Sequence, residues 1–167
     1  ICRIFQLSAI SILTAVAALC PAGCSSRTAM QQVAQAEAIV ESNPQEALAI
    51  VEHIDRNDIC GKHNRARYTL LLSETLYLNY IDTLSDATTR PMMEYYLDSD
   101  IHDERARALY QHAVVMHQQG ELAEAMVMLL EAETSLQQID NTKLKGLVHS
   151  SKGDIYNEGC LFANALE

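Results

Sequence analysis

The chain has 167 residues, with 22 acidic and 12 basic side chains and a formal net charge of −10 at pH 7. That length corresponds to about one domain and is enough to bury a hydrophobic core. The excess of acids disfavours nucleic acid as a partner, because contacts to phosphate require clustered Lys and Arg. Six Gly and three Pro are few for a β-sandwich or barrel, so the composition predicts helices.

The N-terminal segment has the pattern of an export signal. Arg3 is the only charged residue before Arg27, and an apolar run extends from Ile4 to Leu19. A basic start, an apolar stretch and then small residues are typical of a secretory leader that is removed after export. We therefore predict a signal peptide over residues 1–23. The chain lacks an initiating Met, so we expect it to be clipped or mis-started at this end.

The residues from Pro21 to Cys24 resemble the lipobox of bacterial lipoproteins, with Pro21 in place of the usual Leu. The resemblance implies that the thiol of Cys24 is acylated and that the leader is cleaved just before it. Two alternatives remain. The stretch from Ile4 to Gly23 is long enough for an uncleaved membrane anchor, and ordinary cleavage would release a soluble product.

The lipobox also implies a location. Two or three acyl chains anchor a protein stably, whereas one does not. Removal of residues 1–23 takes away one base, Arg3, and no acid, so anionic lipid head groups do not attract the acidic body that remains. The tether would therefore provide the membrane association. We expect an envelope lipoprotein that faces the periplasm, at the outer rather than the inner membrane.

From residue 28 onward the spacing of apolar residues predicts helices almost throughout. A first helix is predicted from Met30 to Val40. The next begins with a capping box, in which Asn43 caps, Pro44 takes the first helical position and Glu46 completes the box. One apolar face of this second helix contains Ala47, Leu48, Ile50, Val51 and Ile54. Helices joined by so short a turn pack antiparallel.

The rest of the chain repeats this pattern. Helices are predicted over residues 64–80, 103–118, 121–138 and 142–157, with a hinge at Gly120. A short helix is started or kinked by Pro91, and a last one begins at Leu161 and breaks off at Glu167. The face of the helix over residues 64–80 comprises Tyr68, Leu71, Leu72, Leu76 and Asn79. No long β-alternation competes, so the predicted fold class is all-α.

Internal repetition indicates how these helices are arranged. Similar segments end at Ala47, Ala125 and Ala165. The first of the two intervals is nearly twice the second, which gives a repeat period of about 40 residues. A fixed period of this length in helical pairs predicts an α-solenoid, in which each hairpin buries its apolar face against the next. We expect about four hairpins, the last one truncated.

The repeats resemble tetratricopeptide repeats (TPRs). In the unit that matches best, large and small apolar residues stand at the family's packing positions: Leu109, Ala113, Met116, Ala125, Leu129 and Ala132. In the last unit the matching residues are Gly153, Tyr156, Phe162 and Ala165. Lys152 and Gln137 depart from the TPR pattern, and the period is longer than that of TPRs. The resemblance implies degenerate TPR-like hairpins over residues 24–104 and two TPR repeats over 105–167, the second incomplete.

The sequence contains no recognisable catalytic or metal-binding motif, and we predict a protein that is not an enzyme and holds no cofactor. Cys60 and His63 could each ligate zinc, but no second pair follows at ligand spacing. The acidic run over residues 98–104 lacks the Gly and Glu of an EF-hand loop. Cys60 and Cys160 lie far apart on different hairpins, which favours free, buried or half-buried thiols over a disulfide.

The TPR resemblance also implies a binding surface on the concave face, where such proteins hold an extended peptide or a partner helix. The residues predicted there are Arg107, Tyr110, Val114, His117, Leu147, Ser150, Asp154 and Asn157. Tyr110 and Val114 occupy two positions of the Lys/Asn clamp found in chaperone-type TPRs. Recognition of an acidic C-terminal carboxylate is therefore disfavoured.

Three functions remain open at this point. The first is a lipid-anchored TPR scaffold that binds a protein or peptide partner in the bacterial cell envelope. The second is the periplasmic sensory half of a membrane-spanning TPR regulator, because the segments around Asn43, Tyr68, Asn79 and Glu94 resemble such halves. The third is an enzyme or solute-binding protein built on an α-solenoid. The first is our leading hypothesis.

Overall fold

The computed structural model describes the backbone of residues 22–82 and 84–164, and the side chains of residues 26–82 and 84–159. This part of the chain is helical and contains no strand, which confirms the all-α class. Seven α-helices follow one another: α1 (Ala22–Ile39), α2 (Pro44–Glu52), α3 (Lys62–Leu78), α4 (Asp86–Leu97), α5 (His102–Gln118), α6 (Leu122–Leu136) and α7 (Thr142–Asn164). A short 3-10 turn, Arg56–Asp58, lies between α2 and α3.

The predicted capping box at the start of α2 is confirmed. The side chain of Asn43 accepts a hydrogen bond from the backbone N–H of Glu46 at 3.3 Å and donates one to its carboxylate at 2.8 Å. Pro44 is the first helical residue. These contacts satisfy amide groups that the first turn would otherwise leave unpaired. The turn directs the buried Ala47 and Val51 toward α1 and α3.

Helix α1 begins before the predicted Met30. Its buried residues are Ala29, Val33 and Ala36, and the buried Val40 just after the helix continues their alternating steps of four and three positions. This is the spacing of one helical face. Ala29 therefore extends the packed face of α1 toward its N-terminus. Because its side chain is small, it is a weak signal of a buried face in the sequence.

The prediction that Pro91 starts or kinks a short helix is wrong about the start, because Pro91 lies inside α4, which begins at Asp86. Proline has no N–H to offer the preceding turn, which is costly inside a helix. The buried face of α4 compensates, with Thr89, Met92, Met93 and Tyr96 spaced as helical neighbours. Tertiary packing thus keeps residues 86–90 helical ahead of the proline.

Two glycines that lie between predicted helices behave differently. Gly120 has a φ of +81°, in the left-handed region that glycine adopts most easily, and it joins α5 to α6. Gly159 stays helical inside α7, which runs unbroken to Asn164. The predicted separate helix from Leu161 is therefore wrong within the described residues. A helical glycine costs only about 1 kcal/mol relative to Ala, so Gly159 alone does not end the helix.

Helices adjacent in sequence pack against each other, and α1, α3, α5 and α7 also make contacts in succession: α1 with α3, α3 with α5, and α5 with α7. We call these four the groove helices, because a groove lies between them, and we call α2, α4 and α6 the flanking helices. Helices α3, α5 and α7 begin at Lys62, His102 and Thr142, at equal intervals along the chain. The spacing of these starts agrees with the repeat period read from the sequence.

The core consists of three clusters along the chain. One joins α1, α2 and α3, another joins α5, α6 and α7, and a small one between them contains Ala66, Leu70, Met92, Tyr96 and Ala108. The six residues predicted at packing positions of the best-matched repeat are all at most 1% exposed: Leu109, Ala113, Met116, Ala125, Leu129 and Ala132. In contrast, Tyr156 of the last unit is 63% exposed. The side chain of Phe162, and Ala165, lie outside the described part.

Candidate functional site: a groove between the groove helices

The groove helices enclose an open cavity of about 250 Å³, bordered by both apolar and charged side chains. The apolar lining comes from the end of α1 and from α3, α5 and α7: Val40, Tyr77, Leu78, Tyr110, Leu144 and Leu147. The polar lining comprises Glu37, Glu41, Glu74, Asp103, Arg107, Gln111, Asn141 and Lys143. A mixed lining of this kind can bury an apolar group and orient a polar one beside it. We refer to this cavity as the groove.

Arg107 of α5 fixes one wall of the groove. Its Nε and one terminal nitrogen donate to the two carboxylate oxygens of Glu74 on α3, at 2.6 and 2.5 Å. Asp103, one turn earlier on α5, lies 3.6 Å from the same guanidinium. Burial alone lowers the pKa of Arg107, but the hydrogen bonds to Glu74 and the nearby acids raise it above its ordinary value. The arginine is therefore a permanent positive charge that ties α5 to α3.

A second arginine repeats this arrangement one helix earlier. Arg67 of α3 donates from Nε to Glu37 of α1 at 2.7 Å, and its terminal nitrogen pairs with the other oxygen of that carboxylate. Arg67, Arg107 and Leu147 occupy the same position relative to the start of their helices. The two arginines bind back to the preceding groove helix, whereas Leu147 lines the groove. Both arginines and Glu37 also border a polar cavity of about 320 Å³ beside the groove.

Tyr110 closes the inner end of the groove. It is 2% exposed, and its hydroxyl donates a hydrogen bond to the hydroxyl of Tyr77 at 2.9 Å. The two rings meet edge to face, with their centroids 5.9 Å apart. Burial, reinforced by this hydrogen bond, raises the pKa of Tyr110, so its hydroxyl stays protonated at neutral pH. The pair therefore forms a rigid neutral floor between α3 and α5.

Gln111 is the least satisfied polar group of the groove. Its side chain is only 6% exposed and borders the groove. Within the described residues, no hydrogen bond is made by its side-chain amide. A primary amide has two N–H donors and a carbonyl acceptor, so it can form hydrogen bonds with a ligand in the groove. Gln111 therefore presents unused hydrogen-bonding capacity to the groove.

The first and last groove helices meet across the opening only through long side chains. Lys143 at the start of α7 lies 3.2 Å from Glu41, just beyond the end of α1. Both side chains are more than half exposed, at 59% and 75%. Beside them, the amide of Asn141 donates to Asp103 at 2.9 Å. Exposed ion pairs of this kind are weak, so the bridge between Glu41 and Lys143 presents little barrier to a ligand.

The structure separates the residues predicted for the concave face into two sets. Arg107, Tyr110 and Leu147 border the groove. Val114 borders a small neighbouring cleft between α3 and α5, and His117 lies 3.0 Å from Glu158 of α7. The remaining three are exposed on α7 and do not line the groove: Ser150, Asp154 and Asn157.

Sequence reasoning missed Gln111 and the acids that border the groove, above all Glu41 and Glu74. Gln111 lies in a run of mostly apolar residues and carries no charge, so no sequence motif marks it as a site residue. The arginines did leave a signal, because Arg67 and Arg107 are separated by one period of the repeat. A comparison of the repeats at that offset would have identified the shared position and its exception at Leu147.

The cysteines lie outside the groove. Cys60 is a free thiol and is exposed, so the prediction of a buried or half-buried side chain is wrong for this residue. It follows the 3-10 turn, just ahead of the N-terminus of α3, where its carbonyl accepts a hydrogen bond from Asn64. His63 instead contacts Tyr95, 3.1 Å from its hydroxyl. In the described part of the chain, no three His, Cys, Asp or Glu side chains are grouped to hold a metal ion.

A buried polar cluster lies on the side of α5 that faces α4. His112 is 0% exposed, and its Nδ1 is hydrogen-bonded to the hydroxyl of Thr89 at 2.9 Å. Its Nε2 lies 3.8 Å from Asp86, and these two facing atoms make no hydrogen bond. Burial lowers the pKa of His112, although Asp86 opposes the shift. Thr89 is also fully buried, so a substrate could not reach its hydroxyl without opening the interface between α4 and α5.

Comparisons with protein-family models, with curated proteins and with solved structures found no match to this chain. Among the described helices, none combines the length and apolar character needed to cross a membrane. Residues 1–21 of the predicted leader and the side chain of Cys24 lie outside the described residues, whereas the backbone of Cys24 belongs to the first turn of α1. The groove is therefore the structural feature that best indicates a function.

Proposed function

We propose that this chain is a non-enzymatic, lipid-anchored TPR scaffold that binds a protein partner in the bacterial cell envelope, with the groove as its binding surface. The observation that carries the proposal is the groove itself, which four helices from successive hairpins build together. Repeat proteins of helical pairs offer extended surfaces of this kind to other chains. The lipid anchor rests on the lipobox at Cys24 and the apolar segment before it.

The regular spacing of the helices supports the repeat architecture. Helices α3, α5 and α7 start at equal intervals, and the packing positions of the α5–α6 hairpin are buried. Small residues at Ala113, Ala125 and Ala132 allow the close approach of neighbouring helices. A solenoid built this way leaves the groove helices free to contact a partner along one side.

A pull-down from envelope membranes tests the binding proposal. Leu147→Asp places a charge on the groove wall at a half-buried position. Leu130→Asp is the matched control, because Leu130 is 44% exposed on the flanking helix α6. We expect the groove variant to lose a specifically captured partner by about tenfold or more while the control retains it. Equal capture by both variants, or no specific partner with the unmodified chain, contradicts the proposal.

The anchor is tested separately by intact-mass spectrometry of the chain purified from membranes. We expect a mature protein that begins at Cys24 and carries the mass of two or three acyl chains. Cys24→Ser should abolish the added mass and release the protein from membranes, while Cys60→Ser serves as a control at another cysteine. An unmodified thiol at Cys24, or a retained leader, contradicts the anchor but leaves the groove proposal standing.

A further inference from the structure

We infer that the partner enters the groove as an extended peptide segment that carries a basic side chain beside an apolar one. This inference rests on the proposed function and adds the chemistry of the partner. Three independent features of the groove lead to it: its volume, the balance of its charges and the unpaired amide of Gln111.

The volume favours one or two side chains of a longer ligand. The groove encloses about 250 Å³, whereas pockets for drug-sized molecules enclose roughly 300–1,000 Å³. The groove is open and bridged at one side only by the exposed pair of Glu41 and Lys143. A chain can therefore run across the opening while one of its side chains occupies the cavity.

The charges favour a basic segment. Four acids border the groove, Glu37, Glu41, Glu74 and Asp103, against two bases, Arg107 and Lys143. Glu37 is paired with a third base, Arg67, that lies outside the lining, so the excess is one acid. Arg107 is held by Glu74 and Asp103. The remaining base, Lys143, pairs with Glu41 only through exposed side chains, so an incoming Lys or Arg can displace it at small cost. The acidic excess attracts such a segment and repels an acidic one.

Gln111 favours a peptide backbone as the group that lies deepest. The residue is only 6% exposed, borders the groove and a neighbouring cleft, and makes no side-chain hydrogen bond within the described residues. An extended peptide has free N–H and C=O groups along its length, which match the donors and the acceptor of a primary amide. A peptide backbone in the groove would therefore find a side-chain amide with which it can form hydrogen bonds.

The apolar lining favours an aliphatic or aromatic neighbour of the basic residue. Leu144 and Leu147 of α7 face Tyr77 of α3 across the cavity, with Val40 at the end of α1. These side chains are buried or half-buried, and an apolar residue among them would remove further apolar surface from water. The expected segment therefore alternates apolar and basic residues, because an extended chain directs successive side chains to opposite sides.

Three pools of end-blocked octapeptides test the inference on the full chain by fluorescence anisotropy. Each pool alternates Leu or Tyr with a variable residue, which is Lys or Arg in the basic pool, Asp or Glu in the acidic pool, and Ser or Gln in the neutral pool. We expect the basic pool to bind about tenfold more tightly than the other two at low salt, with the preference weakening as salt rises.

Two variants with matched controls test the roles of Gln111 and Glu41. Gln111→Met keeps the side-chain volume and removes the amide, and it should weaken the basic pool by about tenfold. Gln45→Ala, at an exposed position on α2, is its control. Glu41→Lys should abolish the preference for the basic pool, whereas Glu52→Lys, exposed on α2, should leave it intact. Circular dichroism and thermal unfolding confirm that each variant folds.

The outcomes separate the inference from the function on which it rests. Tighter binding of the acidic or neutral pool, lost in Leu147→Asp, overturns the basic segment and leaves a peptide-binding groove in place. If Gln111→Met and Glu41→Lys both bind the basic pool as tightly as the unmodified chain, the site lies elsewhere and the inference is overturned. Binding of no pool counts against peptide binding altogether. A dimer in analytical ultracentrifugation that Leu147→Asp disrupts would make a second copy of this chain the occupant.

Discussion

The junction of α3 with α5 and the junction of α5 with α7 use equivalent helix positions but differ in the contact made at one of them. At the first, Arg107 grips Glu74 and Tyr110 is hydrogen-bonded to Tyr77, so the two helices are tied by polar contacts. At the second, Leu147 stands at the position equivalent to Arg107 and lines the groove, while a polar contact between His117 and Glu158 lies further along the helices. Gln111 lies at this opening without a partner in the described residues.

The difference lies in the contact made at one helix position. Arg67 and Arg107 use one position of the repeat to bind back to the preceding groove helix. At Leu147 the contact made by the arginines is absent, and an apolar side chain lines the groove instead. The architecture thus stays regular while one substituted position turns a structural contact into available surface.

Breaking the tied junction should have the largest effect on stability. Arg107→Ala leaves Glu74, whose side chain is only 12% exposed, without its charge partner. The loss should be about 2 kcal/mol, below the range for fully buried pairs because the arginine itself is partly exposed. Urea unfolding followed by circular dichroism measures the change.

Arg67→Ala provides the comparison at the equivalent position. Its partner Glu37 is 27% exposed, so water can replace more of the lost contact. We expect a loss of about 1 kcal/mol, roughly half that of Arg107→Ala. Equal losses for the two variants would show that the α3–α5 tie is not the stronger one.

Extending the arginine pattern to α7 should close the open junction. Leu147→Arg places a large cation in the groove, where the acids of the lining are close enough to accommodate it. Binding of the basic octapeptides should fall by about tenfold, because the new charge fills the cavity and repels them. The melting temperature should change little. Leu130→Arg on α6 is the matched control, and unchanged binding by Leu147→Arg would separate the groove from the binding activity.

Acidification should lower the free energy of unfolding through His112, which is buried on the side of α5 that faces α4. Burial lowers the pKa of His112 in the folded chain, so the unfolded chain takes up a proton at higher pH than the folded one. Its stability contribution is therefore present above the ordinary value of about 6.5 and is lost as the pH falls below it, by at most about 1.4 kcal/mol per pH unit.

Replacing this histidine should flatten the pH dependence. His112→Asn keeps a hydrogen-bonding group near Thr89 and removes the titration. His149→Asn, at a side chain that is 63% exposed, should leave the slope unchanged. Urea unfolding at a series of pH values between neutrality and mild acid measures both. A slope that survives in His112→Asn would assign the pH dependence to other groups.

The smallest effect is expected at the opening of the groove. Lys143→Ala removes the ion pair with Glu41, and both side chains are largely exposed. Stability should change by less than about 0.5 kcal/mol. Affinity for the basic octapeptides should rise, because Glu41 is freed. Lys62→Ala, at the exposed first position of α3, is the control and should leave that affinity unchanged.

The sequence predicted the parts of the fold that local chemistry determines. The capping box at Asn43 follows from local hydrogen bonding and is confirmed. The TPR resemblance implied six packing positions between Leu109 and Ala132, and all six residues are buried. The extent of α4 and α7 depended on packing. Pro91 and Gly159 are both unfavourable in helices. Packing of α4 nevertheless keeps Pro91 inside that helix, and α7 continues through Gly159. Local rules therefore misplaced both boundaries.

The site was less accessible to sequence reasoning than the fold. Register alone placed Arg107, Tyr110 and Leu147 on one surface, and all three border the groove. Glu41 and Lys143 lie far apart in sequence and come together only because the groove helices approach at one end. Gln111 is distinguished by a missing hydrogen bond, which a sequence does not display.

An amide NMR titration of the full chain with the basic octapeptide pool tests the central claim most directly. If the groove is the binding site, chemical-shift changes will concentrate on the groove helices, at and around Tyr77, Tyr110, Gln111 and Leu147, and will disappear in Leu147→Asp. Shifts concentrated on the flanking helices α2, α4 and α6, or their persistence in Leu147→Asp, would contradict it.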